Sequence, residues 1–374
     1  MAEIQFIGIN QLLRTRYSLE VGADGEASFV PLSDGMLSNV KTKWIEITGC
    51  VGYPTSLDAH HRLVSHGQGG SCSGFIQSTR VQRWRAGQSR ILFCYGVPGC
   101  GKSTAVSRLV ELIMFRPRMP GKERNMKFEP LACLYDTHQY PAQDYKTGYQ
   151  RCAELLAQVA FADHMHRRQR IAVHGQDPFL SGARVFVRCA EAFDSLERCL
   201  SRASLAHIIL DGVRPNCRGC DPGLARLLET LSRIEGLSLL ITARSEEMSR
   251  LKCLLNLTVK ADSCLRNSAL EMMAMYPDRR DISICLQQTL RPWLTPLAQV
   301  LFRREDREEI EEEIIALSAN CFLVVYLYSS YFTIAKASPN RIRKVLSRTR
   351  ANWPKDDRPK TAEVALSMAV GTIL

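Results

Sequence analysis

The chain has 374 residues, 45% of them hydrophobic and 23% charged, which suffices for one large core or two smaller ones and excludes collagen-like, coiled-coil and disordered classes. Forty-nine basic residues against 38 acidic give a net charge of +11. That balance suits phosphates, nucleic acid or anionic surfaces without choosing among them, and the Lys and Arg are scattered as on a solvated surface. The 14 cysteines are thinly spread, several inside apolar runs, so they read as free thiols in a reducing compartment, the cytoplasm, and not as a secreted disulfide framework.

Residues 1–70 carry no motif and no signal-peptide pattern, and form a poorly defined N-terminal region. Phe75, Val81 and Trp84 anchor a short helical segment that ends at Gly87. Ile91-Leu92-Phe93-Cys94-Tyr95 is a five-residue apolar run closed by Gly96, the pattern of a strand buried on both faces. A glycine loop follows, and then apolar residues at helical spacing from Ala105 to Phe115. Leu131–Tyr135 is a second strand, with a helix from about Tyr149 to Ala162 and another from about Val185 to Ala203. Ala206–Leu210 is a third strand, closed by Asp211. A helix over Leu224–Ile234 leads to a fourth strand, Leu237–Ile241, and Leu255–Val259 reads as a fifth. After about Lys260 the text is helical only: Asp281–Leu290, Arg304–Leu317, Cys321–Ala335 and Arg341–Ser347.

Alternating strands and helices predict an α/β fold, a three-layer sandwich around a mostly parallel sheet, followed by an all-α domain. The expected boundaries are 71–260 for the sheet domain, 261–350 for the helical domain and 351–374 for a tail. Ile314–Ala335 holds 22 residues without formal charge, long enough to cross a bilayer. Five Ser, Thr and Asn residues dilute it and a Glu-rich helix runs into it, so a buried bundle helix is expected instead.

Gly96-Val97-Pro98-Gly99-Cys100-Gly101-Lys102-Ser103 fits G-x-x-x-x-G-K-[ST], with a strand before it and a helix after it. Inward-turned backbone amides and the positive end of the helix make an anion cradle, which glycines leave open. Lys102 is expected on the β- and γ-phosphates, Ser103 on Mg²⁺, and Thr104 on the α-phosphate. A carboxylate at the end of a neighbouring strand is needed for the Mg²⁺ water shell; Asp211 stands there. Arg244, in Thr242-Ala243-Arg244 after the fourth strand, is the candidate reporter of the γ-phosphate. The cofactors expected are ATP or GTP with Mg²⁺.

In this order the elements resemble the STAND class of P-loop NTPases, within it the NACHT family, and most closely its fungal, nephrocystin-like branch. Gly74-Phe75 and Arg83-Trp84-Arg85-Ala86-Gly87 resemble the segment before the family's strand, Ile209-Leu210-Asp211-Gly212 its Mg²⁺ strand, and Leu240–Arg244 its T-S-R sensor. Arg280-Asp281-Ile282 with Leu286 looks like its D-I helix, and Glu309–Tyr331 like its acidic helix and apolar A-x-x-x-F-L segment. The resemblance covers roughly residues 70–350. It implies a molecular switch in signalling or self/non-self response, acting with a protein partner or by self-association. The family's Mg²⁺ motif continues D-x-x-D-E, whereas here Asp211 is followed by Gly212-Val213-Arg214-Pro215. Losing the water-positioning acids lowers rates by ~10²–10⁴-fold, so at most slow hydrolysis is expected. Asp221 and Glu246 are the nearby acids. Rival readings are an active ATPase or small-molecule kinase, and a nucleotide-bound scaffold that no longer cycles.

Two further signals carry less. Cys217-Arg218-Gly219-Cys220 has C-x₂-C spacing but no second ligand pair, so zinc is not expected. His164, His166, Arg167, Arg168 and Arg170 form a basic cluster without interleaved aromatics, which gives no direct support for nucleic-acid binding.

Overall fold

The computed structural model describes residues 17–21, 27–31, 59–60, 63, 72–114, 129–135, 151–159, 162, 192–214, 222–261, 270–290, 304–319, 321–334, 338–351 and 362–373. Strands β1 (Tyr17–Val21) and β2 (Ala27–Pro31) pair antiparallel as a separate two-stranded sheet. Among the described residues the main sheet has five strands: β3 (Ile91–Gly96), β4 (Leu131–Tyr135), β5 (Ala206–Asp211), β6 (Leu237–Arg244) and β7 (Leu270–Ala274). Their order is β4-β5-β6-β3-β7, with β4 parallel to β5 and β5 parallel to β6. The α/β architecture expected from the sequence is therefore the one observed, as are the strands read at β3, β4, β5 and β6.

Two expectations are corrected. Leu255–Val259 is no strand: it lies within a helix, Met248–Ala261. The run from Met248 has no Gly or Pro to break it and is longer than a typical strand, and length decides between the two readings of a short apolar stretch. Strands also do not end at Lys260, because β7 adds an edge to the sheet. Its sequence, LEMMA, has no β-branched residue and its side chains are only partly buried, so nothing in it signals a strand.

Helices α1 (Ser73–Gln77) and α2 (Thr79–Arg85) come before β3 in the chain, and α3 (Lys102–Met114) after it. The chain divides into two compact units, neither continuous in sequence. The first comprises Met1–Arg62, Gln82–Phe93 and Leu109–Glu271. It contains β4, β5 and β6 with helices α4 (Ala192–Leu200), α5 (Pro222–Arg233) and α6 (Met248–Ala261). The strand side chains Ile208, Ile209, Leu210, Leu239, Leu240 and Ile241 are buried, as are Phe193, Leu196, Leu224, Leu227 and Leu231 on α4 and α5. Apolar positions at helical spacing thus face the core, the stripe that drives amphipathic helices to pack. Helix α5 ends where the Arg90 guanidinium donates to the carbonyls of Ser232 and Ile234, at 2.9 and 2.7 Å. Gly236, at φ +71°, then turns the chain into β6. Trp84, fully buried, meets His207 edge-on at 5.2 Å. At the sheet edge, Gln158 from the helical residues 151–159 accepts the Cys133 N–H at 2.9 Å and donates to the Cys133 carbonyl at 3.0 Å. Its side-chain amide stands in for a sixth strand at that point of β4.

The second unit comprises Leu63–Val81, Cys94–Arg108 and Met272–Leu374. Its core joins α7 (Arg279–Leu290), α8 (Arg304–Leu317), α9 (Phe322–Ile334), α10 (Pro339–Ala351) and α11 (Ala362–Ile373) through Ile282, Leu286, Ile314, Val325, Phe332 and Leu346, among others. The first four are the helices read from the sequence; α11 occupies residues for which no element was expected. Arg343 on α10 bridges Asp306 and Glu309 on α8. The apolar stretch weighed as a membrane span is split by a turn at Ala319, at φ +48°, and Val324, Val325, Tyr328 and Phe332 are buried in the bundle. Among the described residues, no helix is long and apolar enough to cross a membrane.

Candidate nucleotide site

In the second unit the glycine loop runs from the end of β3 at Gly96 into helix α3 (Lys102–Met114). Gly99 and Gly101 sit at φ +78° and +89°, where a side chain is strained. A Cβ on Gly96 would lie 2.6 Å from Cys100 Sγ and 2.8 Å from the Met275 carbonyl oxygen, so that close approach also requires glycine. The loop is tied across itself by Cys100 N–H to Val97 O at 3.3 Å, and α3 starts with Ala105 N–H to Gly101 O at 2.8 Å. The Lys102 ammonium turns back over the loop, donating to the Gly96 carbonyl at 2.8 Å and the Val97 carbonyl at 2.9 Å, with Cys100 Sγ at 3.6 Å. Ser103 and Thr104 lie in the first turn of α3, partly exposed.

The loop is in contact with the start of α9. The Phe322 N–H donates to the Gly99 carbonyl at 3.0 Å, and the Cys321 thiol reaches the Pro98 carbonyl at 3.6 Å. A Cβ on Gly101 would stand 2.6 Å from the Phe322 ring. Beside the loop lies a cavity of about 160 Å³, lined among others by Cys72, Phe75, Ala105, Pro277, Asp278 and Phe322. That is below the ~300 Å³ of a site enclosing a whole drug-sized ligand, so it suits one ring system of a larger molecule. Its wall is fixed by Asp281, whose Oδ1 accepts the Cys72 N–H at 2.8 Å. Burial holds the Asp281 carboxyl above the ordinary 3.8, with the neighbouring Asp278 charge adding to the shift. Cys72 is strained into the left-handed region at φ +63°.

In the first unit, the C-terminal ends of three adjacent strands carry Tyr135, Asp211 and Thr242. Tyr135 pairs with Asp211 in the β4–β5 register. Asp211 and Thr242 are both fully buried; the Thr242 hydroxyl donates to Asp211 Oδ1 at 2.5 Å and accepts the Gly212 N–H at 2.8 Å. The Tyr135 hydroxyl lies 2.6 Å from His60 Nδ1, and burial pushes its pKa well above 10. Arg244, two residues after Thr242 and 37% exposed, pairs with Glu246 at 3.3 Å. An exposed pair of this kind is worth about 0–1 kcal/mol, which leaves Arg244 available to a stronger anion. Arg214 stands where an acid was expected, and its carbonyl accepts from the buried Arg151 guanidinium at 3.3 Å.

The predicted residues are thus Gly96 to Thr104 in one unit, and Asp211 and Arg244 in the other. Pro215, Asp221, the Cys217/Cys220 pair and the His164–Arg170 cluster lie outside the described residues. Sequence reasoning missed Phe322 and Cys321, the latter 223 positions from Pro98 in the chain, and the cavity wall, which takes residues from both sides of the loop in sequence.

Residues 70–244 match the family model described as "Nephrocystin 3, N-terminal". The matched span contains the glycine loop, Asp211 and Arg244, and covers somewhat less than half of the chain. No curated protein matches this chain. Among solved structures it is similar to the Walker-type ATPase PABY2304 of Pyrococcus abyssi, at 14% identity over 73% of this chain and 71% of that one, TM-score 0.43. It is similar to Drosophila ORC bound to DNA at 12% identity over 93% and 77%, TM-score 0.42. It is similar to C. elegans PCH-2 at 11% over 88% and 72%, TM-score 0.27. At TM-scores below 0.5 these likenesses say nothing about what this chain does.

The loop fits a chain of phosphates on its own geometry. Positive-φ glycines keep Cβ atoms out of the cradle, and an ammonium lies over it, held only by carbonyl oxygens and a thiol. The Ser103 hydroxyl, in the first turn of α3, is a hard oxygen donor, the kind Mg²⁺ takes.

Proposed function

We propose that the chain is a nucleotide-operated switch of the STAND/NACHT kind, binding ATP or GTP with Mg²⁺ and hydrolysing it slowly or not at all. The loop amides from Gly99 to Ser103 and the Lys102 ammonium hold the phosphates, with Thr104 at the α-phosphate. Ser103 and, through water, Asp211 would hold Mg²⁺, which would supply charge neutralisation for the phosphates. The base lies in the cavity beside Ala105. Arg244 leaves Glu246 for the γ-phosphate.

The observation that carries the switch reading is the hydrogen bond from Phe322 N–H to Gly99 O. Through it, the first residue of a bundle helix rests on the loop that the phosphates occupy. Phosphates that draw Lys102 off the Gly96 and Val97 carbonyls change the surface on which α9 sits, and so bias the bundle between two arrangements. A protein partner or self-association receives that change. The described cysteines are free thiols, which supports a reducing compartment and the cytoplasm. Arg214 in place of an acid supports weak hydrolysis and keeps open the reading of a nucleotide-bound scaffold.

The test is calorimetric binding of Mg-ATP and Mg-GTP to the wild type and to Lys102→Ala, with phosphate release measured alongside. Losing hydrogen bonds to a charged group weakens binding by about 1.5–3 kcal/mol, roughly 10- to 150-fold. Slow release that rises in Arg214→Asp supports a switch that resets, and binding without release supports the scaffold. Absence of binding to the wild type sinks the nucleotide reading.

A further inference from the structure

Two thiols that the proposed function does not use lie at the loop, on separate segments of the second unit. Cys100 lies within the loop and lines the cavity; its sulfur fills the space beside Gly96. Cys321 lies immediately before α9, and its sulfur would stand 2.8 Å from a Cβ on Gly99, the residue before Cys100. The hydrogen bond from Phe322 N–H to Gly99 O fixes this pairing: Cys321 precedes the donor and Cys100 follows the acceptor. Two backbones joined by one such bond fall in the range of separations that a disulfide spans, and neither cysteine sits in the middle of a rigid strand that would resist the approach.

We propose that Cys100 and Cys321 form a redox-modification site, in which a hydroperoxide oxidises the Cys100 thiol and Cys321 closes a disulfide that clamps the start of α9 onto the phosphate loop. In the first step the Cys100 sulfur attacks a peroxide oxygen; the O–O bond breaks, the departing oxygen takes a proton as water or alcohol, and a sulfenic acid remains. In the second, the Cys321 sulfur attacks that sulfur; the S–O bond breaks, water leaves and the S–S bond forms. Two thiols are oxidised by two electrons and the peroxide is reduced by two. Cys100 is the thiol oxidised first because it faces the cavity and has the Lys102 ammonium at 3.6 Å to stabilise its thiolate. Burial nevertheless holds the Cys100 thiol above its ordinary value, with Lys102 opposing, so the reaction is slow at neutral pH and accelerates as pH rises.

The consequence rests on the nucleotide reading above. A covalent link at Cys100 holds the loop against Phe322, so Gly101 cannot move away from the ring and Lys102 stays over its two carbonyls. Only the unlinked molecules then bind, so the number of nucleotide sites falls in proportion to linkage while the affinity of the molecules that still bind is unchanged.

The full-length protein is treated with hydrogen peroxide, its free thiols are blocked with N-ethylmaleimide, and it is digested without reduction for mass spectrometry. A peptide pair joined through Cys100 and Cys321 is expected, together with a loss of Mg-ATP binding sites per chain, in proportion to linkage, that dithiothreitol reverses. Cys321→Ser is expected to keep its binding sites through the same treatment. Absence of the linked pair, linkage of Cys100 to Cys72 instead, or an equal loss of binding sites in Cys321→Ser overturns the proposal. The linked peptide is read on the wild type, so it decides the pairing even where the variant fails to fold. Failure of the reduced wild type to bind nucleotide refutes the nucleotide reading instead, and with it the regulatory consequence but not the pairing.

Discussion

Thr242 at the end of β6 donates its hydroxyl proton to Asp211 at the end of β5, and the same hydroxyl accepts the Gly212 N–H. One side chain therefore orients the carboxylate proposed for Mg²⁺ and pins the backbone just after it. Thr242→Val keeps the shape and removes both bonds. Each buried group left without its partner costs about 1–3 kcal/mol, so the urea midpoint of unfolding should fall by an amount equivalent to roughly 2–4 kcal/mol. Mg²⁺-dependent nucleotide affinity should fall with it, while Mg²⁺-free binding changes less. An unchanged midpoint would show that the Asp211–Thr242 contact contributes nothing to the fold.

Gly101→Ala places a methyl group against the Phe322 ring at a positive φ. Crowding and backbone strain together should destabilise the protein by about 1–3 kcal/mol. Phe322→Ala in the same chain relieves the crowding but not the strain, so the double variant should be more stable than the two single effects summed. Thermal unfolding of the four proteins in that cycle checks it; strict additivity means that the ring and the loop do not touch.

Gln158→Leu fits the apolar helix it lies on but leaves the Cys133 N–H and carbonyl without their partner at the sheet edge. A loss of roughly 2–4 kcal/mol is expected, with faster amide exchange at Cys133 than at the interior strand β5 as the local signature. Equal exchange at Cys133 in both proteins overturns the edge assignment.

The Asp281 carboxyl is raised above 3.8 by burial first and by Asp278 second, against the N–H groups of Cys72, Ser73 and Asp278. A carboxyl raised in the folded state contributes stability that is full below the unfolded pKa and is lost as pH rises through the folded value. Over the window opening just above 3.8, the wild type should therefore lose stability relative to Asp281→Asn, which keeps an oxygen for the Cys72 N–H. Urea unfolding of the pair across that window measures the difference. A gap that moves the other way with pH reverses the sign of the argument.

What was legible in the sequence follows the range of the interactions involved. The strand, glycine loop and helix around Lys102 are a local pattern, and so are the apolar runs closed by Asp211 and Arg244; all were readable from a few consecutive residues. Strand β7 was not, because LEMMA lacks branched side chains and gains its place only from neighbours in the sheet. Helix α6 was misread because a short apolar run does not distinguish the two periodicities. Phe322 on the loop, Gln158 on Cys133 and Asp281 on Cys72 were invisible for one reason: each joins segments far apart in the chain.

Each compact unit is assembled from three separate stretches of chain, and β3 changes unit between Phe93 and Cys94. No single cleavage of the backbone can release either unit whole. A fragment starting near residue 272 would carry the bundle helices without Leu63–Val81 and without the loop on which α9 rests, and a fragment ending there would carry the intact loop with no bundle beneath it. Ribosomal synthesis meets the same constraint: the Cys321 thiol that reaches Pro98 is made 223 residues after it, so the glycine loop waits over that whole stretch of synthesis for the helix that rests on it.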